Sequence, residues 1–279
     1  MAEGITRGRE IPVMQDIGPA MKRIIPASVA CAVLDMVLHA IFAPTWTYDY
    51  PASYFIESGL FRPAAAIALL GIFILLGTVF LFIRENLPGS RMSKGARFGI
   101  AFGGLWLIGV PGMTIFFGSP ILHEIVGGAS DCLSLVALGL LLGVLTGTDS
   151  PRVTTPRPAL AVQVIGIIAF AFIIGQYIAF LFMSKTPYFS ITGPATFAWT
   201  VVLGLWAGAA CWLLRDSPGP ARSRAGRALF LGGIVIGINW VLFNFFVLLF
   251  VAMPVTDPII LAGCNIASIM AGVFVSPSR

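Results

Sequence analysis

Apolar residues run along this chain in long unbroken stretches. The runs lie at about 24–43, 63–83, 98–118, 121–146, 159–183, 195–214, 228–253 and 258–275. Each reaches the ~20 residues that a helix needs to cross the hydrocarbon core of a bilayer. Only helices and closed barrels satisfy every backbone group inside lipid. The pattern therefore predicts an all-α integral membrane protein with eight transmembrane helices. Pro63, Pro120, Pro194 and Pro258 stand near the first positions of four runs, where a missing N–H costs nothing. Ser119 and Asp257 precede two of those prolines and are the expected N-caps.

The polar breaks between runs repeat. Arg84-Glu85-Asn86-Leu87-Pro88-Gly89-Ser90-Arg91 matches Arg215-Asp216-Ser217-Pro218-Gly219-Pro220-Ala221-Arg222 at a constant offset of 131 residues. Gly99-x-x-x-Gly103 answers to Gly233-x-x-x-Gly237, Pro63 to Pro194 and Cys132 to Cys264. The expected organisation is an N-terminal segment 1–23, a first four-helix membrane repeat at 24–147, a linker at 148–158 and a second four-helix repeat at 159–275. Each repeat has an even number of spans, so the two insert in parallel, about an axis along the membrane normal. With Gly139-x-x-x-Gly143 and Gly204-x-x-x-Gly208, the small-residue motifs mark faces where backbones approach closely.

Charge sets the orientation. Fifteen Lys and Arg residues fall at one set of helix ends, and only Arg62 and Lys185 at the other. The positive-inside rule then places both termini, 1–23 and 148–158 in the cytoplasm. The expected location is the cell membrane of a prokaryote. The first 23 residues mix charges of both signs and lead directly into a full span, which does not resemble a cleaved signal.

Composition agrees with this picture and narrows the functions. Of 279 residues, 58% are hydrophobic and 10% charged, and the mean hydropathy is +0.95. The net charge of +5 is spent on topology, which argues against a nucleic-acid partner. The lipid bilayer is the certain partner; a homo-oligomer or a larger membrane complex is the further expectation. Cys31, Cys132, Cys211 and Cys264 all lie in apolar runs with no C-x-x-C pair, so they read as buried apolar residues. Lys22, Lys94 and Lys185 all stand at helix ends, which leaves no mid-helix lysine for retinal. No P-loop, H-E-x-x-H or G-x-S-x-G motif occurs, so nothing names an enzymatic reaction.

Ionisable residues within spans are functional candidates, because lipid penalises them. Asp35 and His39 stand at i and i+4 on the first helix, hence on one face. His123 and Glu124 fall in the first turns of the fourth helix, with Asp131 two turns deeper. Together they predict a polar track from the outer surface to mid-membrane, confined to the first repeat. The second repeat carries amides instead: Gln176, Asn239, Asn244 and Asn265.

Three readings of the set stay open here. The residues are structural hydrogen-bonded pairs; or Asp35, His39, Glu124 and Asp131 form a proton or cation path; or His39 and His123 ligate a metal or haem. His123, with Tyr48 and Asp49 of the aromatic loop 44–62, would flank the entrance. The functions that follow are a transporter or permease for a proton, ion or small solute; a non-catalytic membrane subunit of an energy-converting or redox complex; or a membrane metal- or haem-binding protein.

Overall fold

The structure is a computed structural model and describes residues 17–42, 51–150, 158–184, 190–219 and 222–277. Among these residues the chain is helical, without strands, and eight helices are long and apolar enough to cross a membrane. They are α1 (Ile17–Phe42), α2 (Phe61–Ile83), α3 (Arg91–Phe117), α4 (Ile121–Thr146), α5 (Pro158–Phe182), α6 (Pro194–Leu213), α7 (Arg224–Leu249) and α8 (Thr256–Val275). Multi-pass membrane insertion follows directly.

Several helices start earlier than the apolar runs. α1 begins at Ile17 rather than near 24, α3 at Arg91 rather than 98, and α7 at Arg224 rather than 228. The added turns carry charge yet are held by local hydrogen bonds. Ser90 caps α3 by accepting from Ser93 N (3.3 Å), and Ser223 caps α7 by accepting from Gly226 N (3.1 Å). Arg23 Nη1 donates to Leu145 O (2.8 Å) and Arg84 Nη1 to Thr146 O (2.5 Å), which satisfies the last carbonyls of α4. The expected N-caps Ser119 and Asp257 do not act as such. α4 starts at Ile121 with no side-chain cap. Asp257 lies inside the first turn of α8, where its Oδ1 accepts from Ser184 N (2.8 Å) and ties α8 to the end of α5.

α3 and α7 are irregular. α3 is interrupted at Val110-Pro111, because proline supplies no N–H and its ring displaces the preceding turn. α7 holds a π-helical stretch, Ala228–Ile236, between two α-helical parts. That stretch changes what its glycines do. A methyl on Gly99 of α3 would lie 2.8 Å from Val136 Cα, and one on Gly139 of α4 would lie 2.7 Å from Gly99 Cα. α3 and α4 therefore touch backbone to backbone. The matching Gly233 meets side-chain atoms instead, Met270 Sδ at 3.1 Å and Leu229 Cδ1 at 3.5 Å.

Packing follows a simple order. α1 packs on α2 and α4, and α3 packs on α4; α5 packs on α6 and α8, and α7 packs on α8. The two sets meet mainly where α3 lies against α6. Three indole N–H groups fasten that contact and the adjoining one to α7. Trp199 Nε1 donates to Ile108 O (2.8 Å), Trp206 Nε1 to Ala101 O (3.2 Å) and Trp106 Nε1 to Asn239 Oδ1 (3.0 Å). The last pair is buried, so Asn239→Leu strands an indole donor in a dry interface. The expected loss is about 1 kcal/mol, read as a lower unfolding midpoint in detergent; an unchanged midpoint contradicts this role.

Two bundle ends are distinguishable. At the basic end lie the loops 84–90, 147–150 and 214–223, where Asn86 Nδ2 donates to Ser217 O (3.0 Å). Among the described residues ten Lys and Arg belong to this end, and Arg62 alone to the other. At the opposite end, residues 51–60 dock on the close of α7. Ser53 N donates to Phe250 O (3.1 Å), Ser53 Oγ to Leu249 O (2.5 Å), and the rings of Phe61 and Phe250 are 4.8 Å apart.

Candidate acid–histidine site

The contact between α1 and α4 brings together four of the residues singled out in the sequence. On α1, the fourfold spacing puts Asp35 and His39 one turn apart on the face that meets α4. His39 Nε2 lies 3.1 Å from Asp131 Oδ1 and 3.8 Å from Asp35 Oδ2. One ligating atom from each of Asp35, His39 and Asp131 falls within 4.8 Å of the others.

On α4, Glu124, Gly127, Asp131 and Ser134 follow at +3, +4 and +3, which is one helical face. This file spans ~15 Å along the helix axis at 1.5 Å per residue. Gly127 has a specific use in it. The Cε1 of His39 lies 3.6 Å from the point where a Cβ of Gly127 would stand, so the imidazole rests on α4 between Glu124 and Asp131. Ser134 stands beside Asp35.

Burial differs sharply within the cluster. The Asp35 side chain is 1% exposed, and neither of its oxygens accepts a well-formed hydrogen bond. Asp131 is nearly as buried, whereas the His39 side chain is 38% exposed. The imidazole is thus the most exposed member of the group, with one carboxylate on α4 and a second on α1 beside it. An ionised carboxylate buried without well-formed hydrogen bonds costs several kcal/mol, a cost that a shared proton or cation lowers. Deeper toward the basic end the acids and histidine give way to Ser28 and to the fully buried Ile24, Leu76, Phe80, Leu138 and Leu142, whose apolar side chains close the file.

His123 and Glu124 form a second buried pair, nearer the start of α4, with His123 Nδ1 3.5 Å from Glu124 Oε1. His123 is not a member of the three-residue group that includes His39. The donor set that does assemble is two carboxylates and one imidazole, a combination that suits a divalent transition metal. Tyr48 and Asp49 lie outside the described residues. The described part of their loop, 51–60, docks on α7.

No protein-family model, curated protein or solved structure matches this chain.

The site therefore speaks through its own geometry. Sequence reading found the charged members because each is costly in lipid. It passed over Gly127 and Ser134, which read as packing residues. Their signal was present in the +3 steps from Glu124 and Asp131.

Proposed function

We propose that this protein is a permease-like membrane protein that takes up a proton or small cation through the acid–histidine file of its first four helices. The observation that carries the reading is the Asp35 carboxylate, buried behind the His39–Asp131 pair with no well-formed hydrogen bond to either oxygen. Glu124 stands nearest the start of α4, His39 bridges to Asp131, and Asp35 is the innermost acid. A proton moves along such a file by short transfers between neighbouring oxygen and nitrogen atoms, with the imidazole ring as the relay.

The apolar seal toward the basic end makes the file a half-path. Net movement then requires the seal to open on the other side, as in alternating access. The frame for that movement is a pair of parallel four-helix repeats with both termini in the cytoplasm. Three observations support the frame. The pairing order of α1–α4 recurs in α5–α8. Asn86 and Ser217, equivalent under the offset of 131 residues, touch each other as positions at a two-fold axis do. The basic side chains crowd one end.

The test is proton uptake by vesicles with a trapped pH-sensitive dye, driven by a potassium–valinomycin potential. Vesicles with the protein are expected to acidify faster than empty vesicles, and Asp35→Asn to remove the difference. Equal rates with Asp35→Asn and the unaltered protein would refute the path.

One observation favours a second reading of the same residues, a resident divalent metal: the three ligating atoms gather within 4.8 Å. In that case Asp35, His39 and Asp131 hold the ion, which supplies a fixed positive charge or a Lewis acid at the site. Elemental analysis of purified protein then shows stoichiometric metal that His39→Ala loses.

A further inference from the structure

The two four-helix sets differ at the basic end, where α2 and α6 close. Under the offset of 131 residues Arg215 answers to Arg84, and Cys211 to Phe80. In the first set, Arg84 Nη1 donates to Thr146 O (2.5 Å), which ties it to the end of α4, and the Phe80 ring is fully buried one turn below. In the second set, Ser276 Oγ donates to Gly272 O (2.7 Å) at the end of α8. Arg215 stays with its own helix. Its Nη1 donates to Trp212 O (3.0 Å), and its guanidinium lies 3.9 Å from the centre of the Trp212 ring. With a cysteine where a phenylalanine fills the first set, a cleft of about 40 Å³ remains between α5, α6, α7 and α8.

The cleft is graded along its length. Arg215 follows the last turn of α6, Arg227 stands in the first turn of α7 and Ser276 follows α8, so the polar lining lies at the basic end. Val164, Leu231 and Val273 line it one to two turns deeper and offer only hydrocarbon. Arg227 is half-buried, yet its guanidinium makes no hydrogen bond or ion pair with another described residue. The acid nearest in sequence, Asp216, is buried beside Arg215, 4.0 Å from its Nε. From 215 to 227 the chain carries four arginines and that one acid, which leaves positive charge in surplus at the mouth. Val162, Leu229 and Val275 are exposed on the neighbouring turns of α5, α7 and α8, as side chains that meet lipid are.

A surplus guanidinium at the head of an apolar cleft matches an anion with hydrocarbon attached. Guanidinium groups hold phosphate oxygens through paired N–H donors, and apolar walls strengthen that attraction by lowering the local dielectric. A cation would be repelled. A zwitterionic head brings its own cation and answers the surplus charge less well. At 10–15 Å³ for each water, the cleft has room for a few heavy atoms only. It takes a headgroup phosphate and leaves the acyl chains in the bilayer.

We infer that this cleft binds the phosphodiester head of an anionic phospholipid, held by Arg215 and Arg227. The site is independent of the acid–histidine file and stands whether or not that file conducts.

The test is native mass spectrometry of the intact protein, purified in detergent and stripped of lipid. The probes are phosphatidylglycerol, phosphatidylcholine and inorganic phosphate. One phosphatidylglycerol is expected to add saturably, at concentrations where phosphatidylcholine does not. Arg227→Gln is expected to raise the half-saturating concentration about ten-fold, the effect of losing a charge-assisted hydrogen bond. Arg91→Gln removes an exposed charge from the same end of the first set and is expected to leave it unchanged. Cys211→Phe, confirmed as folded by circular dichroism and gel filtration, is expected to abolish the adduct with no change of charge. If Cys211→Phe does not fold, Arg227→Gln still decides. Equal addition of the two lipids overturns the inference. So does an unchanged half-saturation in Arg227→Gln, or an equal loss in Arg91→Gln. Displacement of the lipid by inorganic phosphate at equal concentration overturns it as well, since the cleft would then be a site for a free anion.

Discussion

Replacing Asp131 with asparagine is expected to bring proton uptake down to the rate of empty vesicles, a loss of a hundred-fold or more if one relay group carries the transfer. Asp131 is close to both other members of the Asp35–His39–Asp131 group. Its carboxylate meets His39 Nε2 at 3.1 Å, and its ligating atom lies within 4.8 Å of that of Asp35. An asparagine keeps the volume and a hydrogen bond to the ring but cannot take or give a proton. Asp131→Glu keeps the chemistry and shifts its position by one methylene, so partial uptake is expected. His39→Gln is expected to slow uptake less than Asp131→Asn, because the His39 ring is the most exposed member of the group. Initial rates of dye acidification rank the three variants; equal loss in all three would indicate a structural rather than a proton-carrying role.

Leucine in place of Gly139 is expected to prevent accumulation of folded protein. A Cβ there would stand 2.7 Å from the Cα of Gly99, and both atoms belong to helix backbones. No rotamer change relieves that overlap. α3 and α4 must separate, which breaks the packing that drives helix association when lipid supplies no hydrophobic force between them. Overpacking in cores costs about 1–3 kcal/mol, and a backbone clash belongs at or beyond the upper end. Gly263→Leu is the control, since nothing lies within 4 Å of the Cβ position at Gly263. The readout is the monodisperse gel-filtration peak after detergent extraction. Equal recovery of the two variants contradicts the backbone contact.

The sequence states the solvent and the number of spans plainly, because twenty consecutive apolar residues have few other uses. It also places the ionisable residues on the right faces. The spacing of Asp35 and His39 follows from helical geometry alone, as does that of Glu124 and Asp131. The pairing of α1 with α4 is different. It depends on which small-residue face each helix spends on which neighbour. α4 turns Gly128, Gly139 and Gly143 toward α3 and keeps Gly127 for the His39 ring. A Gly-x-x-x-Gly pattern announces close approach without naming the partner.

Helix starts were legible only in part. Runs of apolar residues end where charge begins, yet α1, α3 and α7 continue through Lys22, Arg91 and Arg224, because these positions sit at the bundle rim. The π-helical stretch of α7 left no trace in composition, and within it Gly232 rather than Gly233 approaches the Met270 backbone.

The measurement that reaches the central claim most directly is a pH-difference infrared spectrum of the lipid-reconstituted protein, with Asp35→Asn and Asp131→Asn beside it. A carbonyl stretch from a protonated carboxyl shielded from water is expected, present in the unaltered protein and removed or shifted by each substitution. A spectrum identical in all three proteins would show that neither carboxyl takes up a proton, and would contradict the acid–histidine file as a proton path.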